Sequence, residues 1–204
     1  MNDRPAHAGV VVTERLRLEP ITRDHAHDLW AIHNAEEVAR WYQEWRPSPE
    51  EAAAWAETMA DSWRTFGVHK WLAVDRETSE VVGRGGLSPT PADDDWGRVT
   101  RFLPEEAWTR KVRLGPHAEP VHAMWVENGW ALLPAFWGCG YATEIGRAGL
   151  AYAFETLRMR AVVSCTAHDN DRSRAVMERI GMRHAGELAD LDGGPDLAVY
   201  TLVR

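Results

Sequence analysis

Alternating apolar and polar residues near the N-terminus predict the first strand of the protein. Over Thr13–Pro20, Leu16 and Leu18 fall on one face and charged residues on the other, which is typical of a strand with one buried face. The preceding residues, 1–9, show no periodicity, and we expect them to be disordered.

Apolar residues at helical spacing then predict two helices. The first follows Thr22, a residue type that caps helices, and extends to about Trp41. The second begins at Ser48, where a serine cap is followed by Pro49 and acidic residues in the first turn. We expect it to extend to about Thr65.

Three histidines in the first predicted helix raise the question of a metal site. They are His25, His27 and His33. A helical metal site needs two ligands four positions apart and a further ligand elsewhere. No two of these histidines have that spacing, so we expect them on a solvated face and predict no metal ion.

The middle of the chain predicts a β-hairpin followed by an insertion. The hairpin strands are Trp71–Asp75 and Val81–Leu87. Residues 89–120 contain the acidic triplet Asp93–Asp95 and a short helical stretch over 104–111, but no sustained periodicity. Loops of this length are uncommon in compact domains and are often functional, so a substrate lid, a dimer arm and a plain insertion all stay open.

Strands and helices alternate in the remainder of the chain. The predicted elements are a strand over Val121–Leu133, a helix from Tyr141, a strand over Ala161–Thr166, a helix over Asn170–Ile180, and two closing strands over His184–Ala189 and Leu197–Val203. This order predicts an α/β fold. With 204 residues and 45% hydrophobic content, the chain can bury one good-sized core, and we expect residues 1–204 to form a single domain.

A strand-to-helix turn is the strongest candidate for a ligand site. The predicted strand breaks at Pro134, passes through Gly138 and Gly140, and enters a helix at Tyr141. Such a turn leaves backbone N–H groups unpaired at the positive end of the helix, and glycines let a ligand approach without meeting a Cβ. The turn is therefore a candidate phosphate site.

Two familiar phosphate motifs do not fit this turn. A kinase-type phosphate loop would end in Gly-Lys-Ser/Thr, whereas Gly140 is followed by Tyr141 and Ala142. A dinucleotide-binding fingerprint would place its third glycine where Thr143 stands. From the turn alone, a tight connection without a ligand remains an alternative.

Charge and cysteine content narrow the class of protein. The formal net charge of −8 disfavours nucleic acid as a partner and favours a cationic or neutral substrate. Cys139 and Cys165 have no Cys-x-x-Cys spacing, and the sequence shows neither a signal-like run nor a membrane-length apolar stretch. We therefore expect a cytoplasmic protein without a zinc site or a membrane contact.

The eleven tryptophans are the main oddity of the composition. Large aromatic side chains fill cores and subunit surfaces, and they also line substrate sites. The sequence leaves both interpretations open, and with them a homodimer.

Two separated motifs resemble those of the GNAT N-acyltransferases. The stretch from Trp130 to Glu144 resembles their acyl-CoA pyrophosphate loop, most closely that of the ribosomal-protein (Rim-type) N-acetyltransferases, with Trp137 in place of the usual Gln or Arg. Asn170-x-x-Ser173, followed by Gly181-Met182, resembles the Asn-x-x-Ser/Ala and Gly-Phe of the same family. The order of the predicted elements also matches the GNAT core.

The resemblance implies a fold, a co-substrate and a set of binding residues. The fold would be a mixed, mostly antiparallel central sheet flanked by helices, and the co-substrate would be acetyl-CoA. The residues that it assigns to cofactor binding are Leu132, Leu133, Trp137, Gly138, Cys139, Gly140, Tyr141, Ala142, Thr143, Asn170 and Ser173. On the residues alone, Asn170 could instead be only a helix cap, with Ser173 bonded to the local backbone.

Proton transfer needs further residues, because only a neutral amine attacks a thioester and a free amine is mostly protonated at neutral pH. The resemblance points to Glu127 as the acidic residue that faces the substrate; a cross-strand ion pair is its alternative role. Met177 stands where many family members carry a tyrosine acid, so Ser173 or water would take that part. Asp190 and Asp192 are weaker candidates for the base, and we expect Glu144 to complement a helix N-terminus.

The resemblance implies that the protein is an acetyl-CoA-dependent N-acetyltransferase. The acceptor would be a primary amine, either a protein N-terminus or a small molecule, which attacks the thioester directly in a ternary complex. Two alternatives stay open: a non-catalytic acyl-CoA-binding or regulatory module, and an enzyme that uses a different acyl donor.

Overall fold

An eight-stranded sheet forms the centre of the part of the chain that the structure describes. This computed structural model describes residues 9–91, 95–108, 124–189, 194 and 196–204. The strands are β1 (Val11–Val12), β2 (Leu16–Pro20), β3 (Lys70–Asp75), β4 (Val81–Pro91), β5 (Met124–Leu132), β6 (Ala161–Ala167), β7 (Arg183–Leu188) and β8 (Leu197–Val203). Their order is β1-β2-β3-β4-β5-β6-β8-β7. All neighbours are antiparallel except β5 and β6, which confirms the predicted mixed, mostly antiparallel sheet flanked by helices.

Helices cover both faces of this sheet. They are α1 (Ala26–Asn34), α2 (Glu36–Ala39), α3 (Pro49–Phe66), α4 (Glu105–Trp108), α5 (Tyr141–Ala151) and α6 (Asp171–Arg179). On one face, Leu29 of α1 and Met59 of α3 pack on Leu72 and Val74 of β3. On the other face, Ile145 of α5 packs against β2 and β3, and α6 packs beside α5. No helix of the described residues is long and apolar enough to span a bilayer.

Small residues on α5 bring it close to the sheet. A Cβ on Gly146 would lie 3.2 Å from the Trp130 ring, and one on Gly149 would lie 2.4 Å from the Asn128 side-chain oxygen. The Asn128 amide donates to the Gly146 carbonyl at 2.9 Å. Glycine costs about 1 kcal/mol against alanine inside a helix, and here it allows the helix to reach this buried amide.

The predicted first helix is interrupted, contrary to expectation. A short 3₁₀ turn at Arg23–His25 leads into α1, and Ala35 then adopts an extended conformation (φ −64°, ψ 126°) before α2 begins. A second 3₁₀ turn follows at Arg40–Tyr42. The break redirects the chain so that Tyr42 reaches back over the sheet to Arg84, a tertiary contact that helical periodicity does not encode.

The described part of the predicted insertion is ordered structure. Strand β4 extends to Pro91 in register with β5, well beyond the expected end at Leu87. A 3₁₀ segment over Asp95–Phe102 then buries Val99 against Trp125 and its neighbours, and α4 follows. The expected lack of regular structure is wrong for residues 89–91 and 95–102, because their apolar side chains find partners on β5 and β6 rather than on their own segment. Helix α4 lies within the short helical stretch predicted over 104–111. Residues 109–123 lie outside the described part.

The N-terminal prediction concerns residues that are mostly outside the description. Residues 1–8 are not described, whereas Gly9 is, and its carbonyl accepts a hydrogen bond of 2.7 Å from the Trp71 indole.

Candidate active site

One cavity of about 1870 Å³ connects the two faces of the sheet. Strands β5 and β6 are joined by a single bridging pair, Glu127 with Val163. Beyond this pair the cavity is lined both by residues 129–132 of β5 and by residues 164–167 of β6, so the two parallel strands separate there. The opening lets a ligand held on the α5 face reach the α1 face.

The turn before α5 forms one end of the cavity. Gly138 (φ 79°) and Gly140 (φ 85°) both have left-handed backbone conformations, and a Cβ on Gly138 would meet nothing within 4 Å. Gly140 is the N-cap of α5, and no side chain caps this helix. The first N–H groups of α5 are thus available to an anionic ligand, in the geometry that suits phosphate.

Neighbouring strands hold this turn in place. The Arg15 guanidinium donates to the Cys139 carbonyl at 2.9 Å, and Glu144 accepts hydrogen bonds from the Thr13 hydroxyl (2.6 Å) and the Arg15 backbone N–H (2.8 Å). Glu144 lies in the first turn of α5, as expected, and it also ties that turn to the start of β2. Rigid support of this kind keeps the N–H groups aimed at a ligand.

Three arginines that the sequence did not single out surround the same end. Arg147, Arg172 and Arg179 line the cavity. Arg172 lies over the Trp137 ring at 5.2 Å, and the Arg179 guanidinium donates to the Thr143 hydroxyl at 3.3 Å. The sequence offered one indication of this cluster, for two of its members: Arg172 and Arg179 are two turns apart on one helix and so share a face. The positive charges of these arginines would balance the negative charge of a phosphate ligand.

Helix α6 contributes Asn170 and Ser173. The Asn170 side-chain oxygen accepts a hydrogen bond of 3.2 Å from the Ser173 N–H, so Asn170 is the helix cap. Asn170 also lines the cavity, and therefore the cap and a ligand-binding role are compatible. Ser173 is half-buried and lines the cavity beside the buried Met177.

At the other end of the cavity, Glu127 lies beside a buried lysine. The Glu127 carboxylate is half-buried and 3.8 Å from the Lys70 ammonium, which donates to the Gly86 carbonyl at 2.9 Å. Burial lowers the pKa of Lys70 to about 8, although Glu127 opposes the shift. The ion pair that was considered for Glu127 is thus present, with a carboxylate that still faces the cavity.

A second buried cation lies on the same face. Arg84 of β4 donates to the His33 ring at 3.3 Å and to the Tyr42 hydroxyl at 3.0 Å. The solvated position expected for His33 is wrong: its side chain is fully buried, and burial together with Arg84 lowers its pKa to about 2. Sequence gave no signal for this pair because the two residues are far apart in the chain.

Tryptophans serve both of the roles that the composition left open. Trp71 and Trp125 are buried in the core. Those that line the cavity are Trp41, Trp45, Trp96, Trp130 and Trp137.

Most of the predicted site residues meet at this cavity. Those that line it are Glu127, Leu132, Trp137, Gly138, Gly140, Tyr141, Ala142, Thr143, Asn170 and Ser173. Leu133 and Cys139 do not: Leu133 packs on the core beside α1, and Cys139 is exposed. Asp190 and Asp192 lie outside the described residues.

The sequence of this chain matches a family model and is similar to known proteins. Residues 15–183 match the family model described as "Acetyltransferase (GNAT) domain". The chain is 38% identical over 202 residues to the "Putative ribosomal N-acetyltransferase YdaF" of Bacillus subtilis, covering 95% of this chain and 91% of that protein.

Solved structures share the fold. A GNAT-family acetyltransferase from Bacillus anthracis superimposes with a TM-score of 0.68 at 18% identity, covering 95% of this chain and 98% of that one. The aminoglycoside acetyltransferase AAC(6')-Ib, solved in complex with coenzyme A, gives 0.64 at 14% identity, covering 93% and 95%.

Proposed function

The chain belongs to the GNAT acetyltransferase family, and from this premise we propose that it transfers the acetyl group of acetyl-CoA to a primary amine by direct attack. The observation that carries the proposal is a continuous cavity lined by residues of both faces of the sheet. It joins an uncapped helix N-terminus on the α5 face to a half-buried carboxylate, Glu127, on the α1 face.

The residues of the α5 face fit the co-substrate. Left-handed glycines, free N–H groups and nearby arginines suit a pyrophosphate, and the gap between β5 and β6 is bordered by strand edges that can take an extended arm. When bound, acetyl-CoA supplies an acetyl group already activated as a thioester. We assign to the side-chain amide of Asn170, which lines the same cavity, a hydrogen bond to that arm.

Glu127 is proposed to receive the proton of the attacking amine, directly or through one water. The amine nitrogen forms the new C–N bond, the C–S bond breaks, and the proton goes to a Glu127 carboxylate oxygen. The ion pair with the buried Lys70 holds this carboxylate in position. On the other side of the gap, the Ser173 hydroxyl donates a hydrogen bond to the departing sulfur, since Met177 has no proton to give.

The identity of the amine is a separate part of the proposal. YdaF is named as a ribosomal N-acetyltransferase and AAC(6')-Ib as an aminoglycoside acetyltransferase. These names suggest a protein N-terminus and a small-molecule amine, respectively, as the acceptor classes to test first.

A thiol-release assay tests the proposal. The purified protein, acetyl-CoA and a panel of peptide, amino-acid, polyamine and aminoglycoside amines should release several equivalents of CoA per protein with at least one amine. Mass spectrometry should find the acetylated amine. Tight acetyl-CoA binding without turnover on any amine would identify a binding module instead, and turnover only with another acyl-CoA would identify a different donor.

A further inference from the structure

Arg84 is a buried charge that the proposed reaction leaves unused. Its side chain is on β4, is only 5% exposed and lines the cavity. A buried cation is costly unless it is paired with an anion and hydrogen-bonded. The question is therefore what balances this charge.

Within the described residues, Arg84 has only neutral partners. Its Nε and Nη2 atoms contact His33 Nε2, and Nη2 also donates to the Tyr42 hydroxyl. The Tyr42 and Trp55 rings lie 5.5 and 5.3 Å from the guanidinium. None of the ion pairs found among the described residues includes Arg84, and its Nη1 atom has no hydrogen-bond partner there.

Among the described residues, two carboxylates line the α1 side of the cavity: Glu37 of α2, which is exposed, and Glu127, which already has a cation. Glu127 pairs with Lys70 at 3.8 Å. Lys70 and Arg84 are therefore two buried cations beside one half-buried carboxylate, and the exposed Glu37 is matched by the exposed Arg40. The overall charge of −8 suggested a cationic or neutral acceptor, but this part of the cavity has the opposite local sign.

Arg84 faces the acceptor and not the phosphate loop. Successive residues of a strand point to opposite faces of a sheet. Gly85 contacts Ile145 of α5, so Arg84 points to the α1 face. Glu127 shares that face, because Arg84 pairs with Ala131 and Glu127 is four positions from Ala131 along β5.

We propose that the acceptor is an amine that carries a carboxylate several bonds from its nitrogen, and that Arg84 binds this carboxylate. The inference rests on the proposed function, which puts the amine at Glu127. Arg84 lies opposite Ala131, four positions and about 13 Å of backbone from Glu127 along β5, so we expect the two recognised groups of the acceptor to be several bonds apart. The aromatic rings around Arg84 hold the guanidinium still, which suits a planar carboxylate.

Matched acid and amide pairs test the inference on the unaltered protein. The probes are linear amino acids from glycine to aminohexanoate, each beside its primary carboxamide. The acid should exceed its amide in kcat/KM by about 10- to 100-fold, the range expected for a charged hydrogen bond, and the longer members should show the larger ratio. Amides that are used as well as their acids at every length would overturn the inference.

A peptide pair distinguishes the two sources of such a carboxylate. One peptide has a free N-terminal amine and an aspartate at its third position; the other has asparagine there. A preference for the aspartate peptide, with free amino acids unused, supports Arg84 recognition of an acidic protein N-terminus. A preference among free amino acids supports a metabolite.

The variant Arg84→Gln locates the effect. It should lower kcat/KM for the acids by about 10- to 100-fold, change the amides by less than about threefold, and leave the acetyl-CoA dissociation constant nearly unchanged. Arg183→Gln, an exposed arginine on β7, is the matched control and should change neither. Equal losses on acid and amide would make Arg84 a purely structural link to α1, and a tenfold loss of acetyl-CoA affinity would assign it to the cofactor.

These outcomes separate the inference from the proposed function. If no amine of either kind is acetylated, the transferase proposal fails. If amines are acetylated without regard to their carboxylates, only the role of Arg84 fails. Should Arg84→Gln not fold, the acid and amide ratio of the unaltered protein still decides.

Discussion

The two ends of the cavity differ in the groups that form them: backbone groups at one end and side chains at the other. The end proposed to bind acetyl-CoA, here called the cofactor end, consists of backbone N–H groups and glycines of one continuous turn, with exposed arginines around it. The end proposed to bind the amine, here called the acceptor end, consists of side chains from distant segments: His33, Lys70 and Arg84, which are buried, and Glu127, which is half-buried. A backbone site does not titrate and depends on local conformation. A site of buried titratable groups depends on the whole sheet and on pH.

The largest expected effect is on the acceptor side. Glu127→Gln should lower kcat by about a hundredfold near neutrality, equivalent to about 2.7 kcal/mol, because a positioned base contributes about 10² to 10⁴ in rate. Part of the loss should return at high pH, where more amine is neutral. Steady-state kinetics with the true amine would measure both effects.

The matched control for this variant is Glu77→Gln, an exposed carboxylate in the turn between β3 and β4, which should keep wild-type kcat. Both variants should bind acetyl-CoA within a few fold of wild type. Wild-type kcat for Glu127→Gln at every pH would remove Glu127 as the base and direct attention to Asp190 and Asp192.

The second effect concerns the acid stability of the acceptor side. The pKa of His33 is 6.5 unfolded and about 2 in the folded protein, so the unfolded chain binds the additional proton between these values. Stability therefore falls as the pH drops below 6.5, and His33 alone should cost about 2 kcal/mol between pH 7 and pH 5.

His33→Gln isolates this contribution, because the amide oxygen can still accept from Arg84 but does not titrate. The free energy of unfolding, measured with urea at pH 7 and at pH 5, should fall between these pH values by about 2 kcal/mol less in the variant than in the wild type. His69, whose pKa burial lowers to about 3, acts in both proteins and cancels from the difference. Identical pH dependence of the two proteins would contradict a buried, neutral His33.

The third effect tests the backbone character of the cofactor end. Gly138→Val should raise the acetyl-CoA dissociation constant at least tenfold, about 1.4 kcal/mol, because a branched side chain disfavours the left-handed conformation and projects toward the ligand. Isothermal titration calorimetry measures this constant directly.

Gly181→Val is the matched control for that variant. Gly181 is also left-handed (φ 91°) with nothing within 4 Å of an added Cβ, but it lies outside the cavity. The two variants should lose similar stability, and only Gly138→Val should lose affinity. Equal affinities in the two folded variants would take the turn out of the cofactor site.

The smallest effect is expected from a side chain of the cofactor end. Ser173→Ala should lower kcat by about tenfold or less, because a thiolate with a pKa near about 8.5 already leaves well. Acetyl-CoA affinity should stay within a few fold. A loss as large as that of Glu127→Gln would make the two ends alike in their dependence on side chains and would break the contrast between them.

The sequence predicted those features that are written in one continuous stretch. Helix α3 begins at the predicted Ser48 cap, which accepts from the Glu51 N–H at 3.2 Å, and the turn at Gly138 and Gly140 leads into α5 as expected. Helix capping and the conformational freedom of glycine act over a few residues, so the adjacent sequence is enough to predict these features. The order of the predicted elements indicated an α/β fold, and the resemblance of two motifs to the GNAT family implied the mixed sheet.

Tertiary structure decided what depends on partners far along the chain. The local pattern put His33 on a solvated face and predicted no regular structure between Pro89 and the short helix that begins near residue 104. The fold instead buries His33 on Arg84 and Val99 on Trp125. The pairing of Lys70 with Glu127, and the gap between β5 and β6, likewise follow from strand register.

What the sequence by itself determined is thus the cofactor end, because backbone conformation at a glycine turn is set by adjacent residues. What only the tertiary structure decided is the acceptor end, its charge and its burial. Those depend on desolvation and on distances between side chains that the sheet register brings together, and neither quantity exists until the strands have paired.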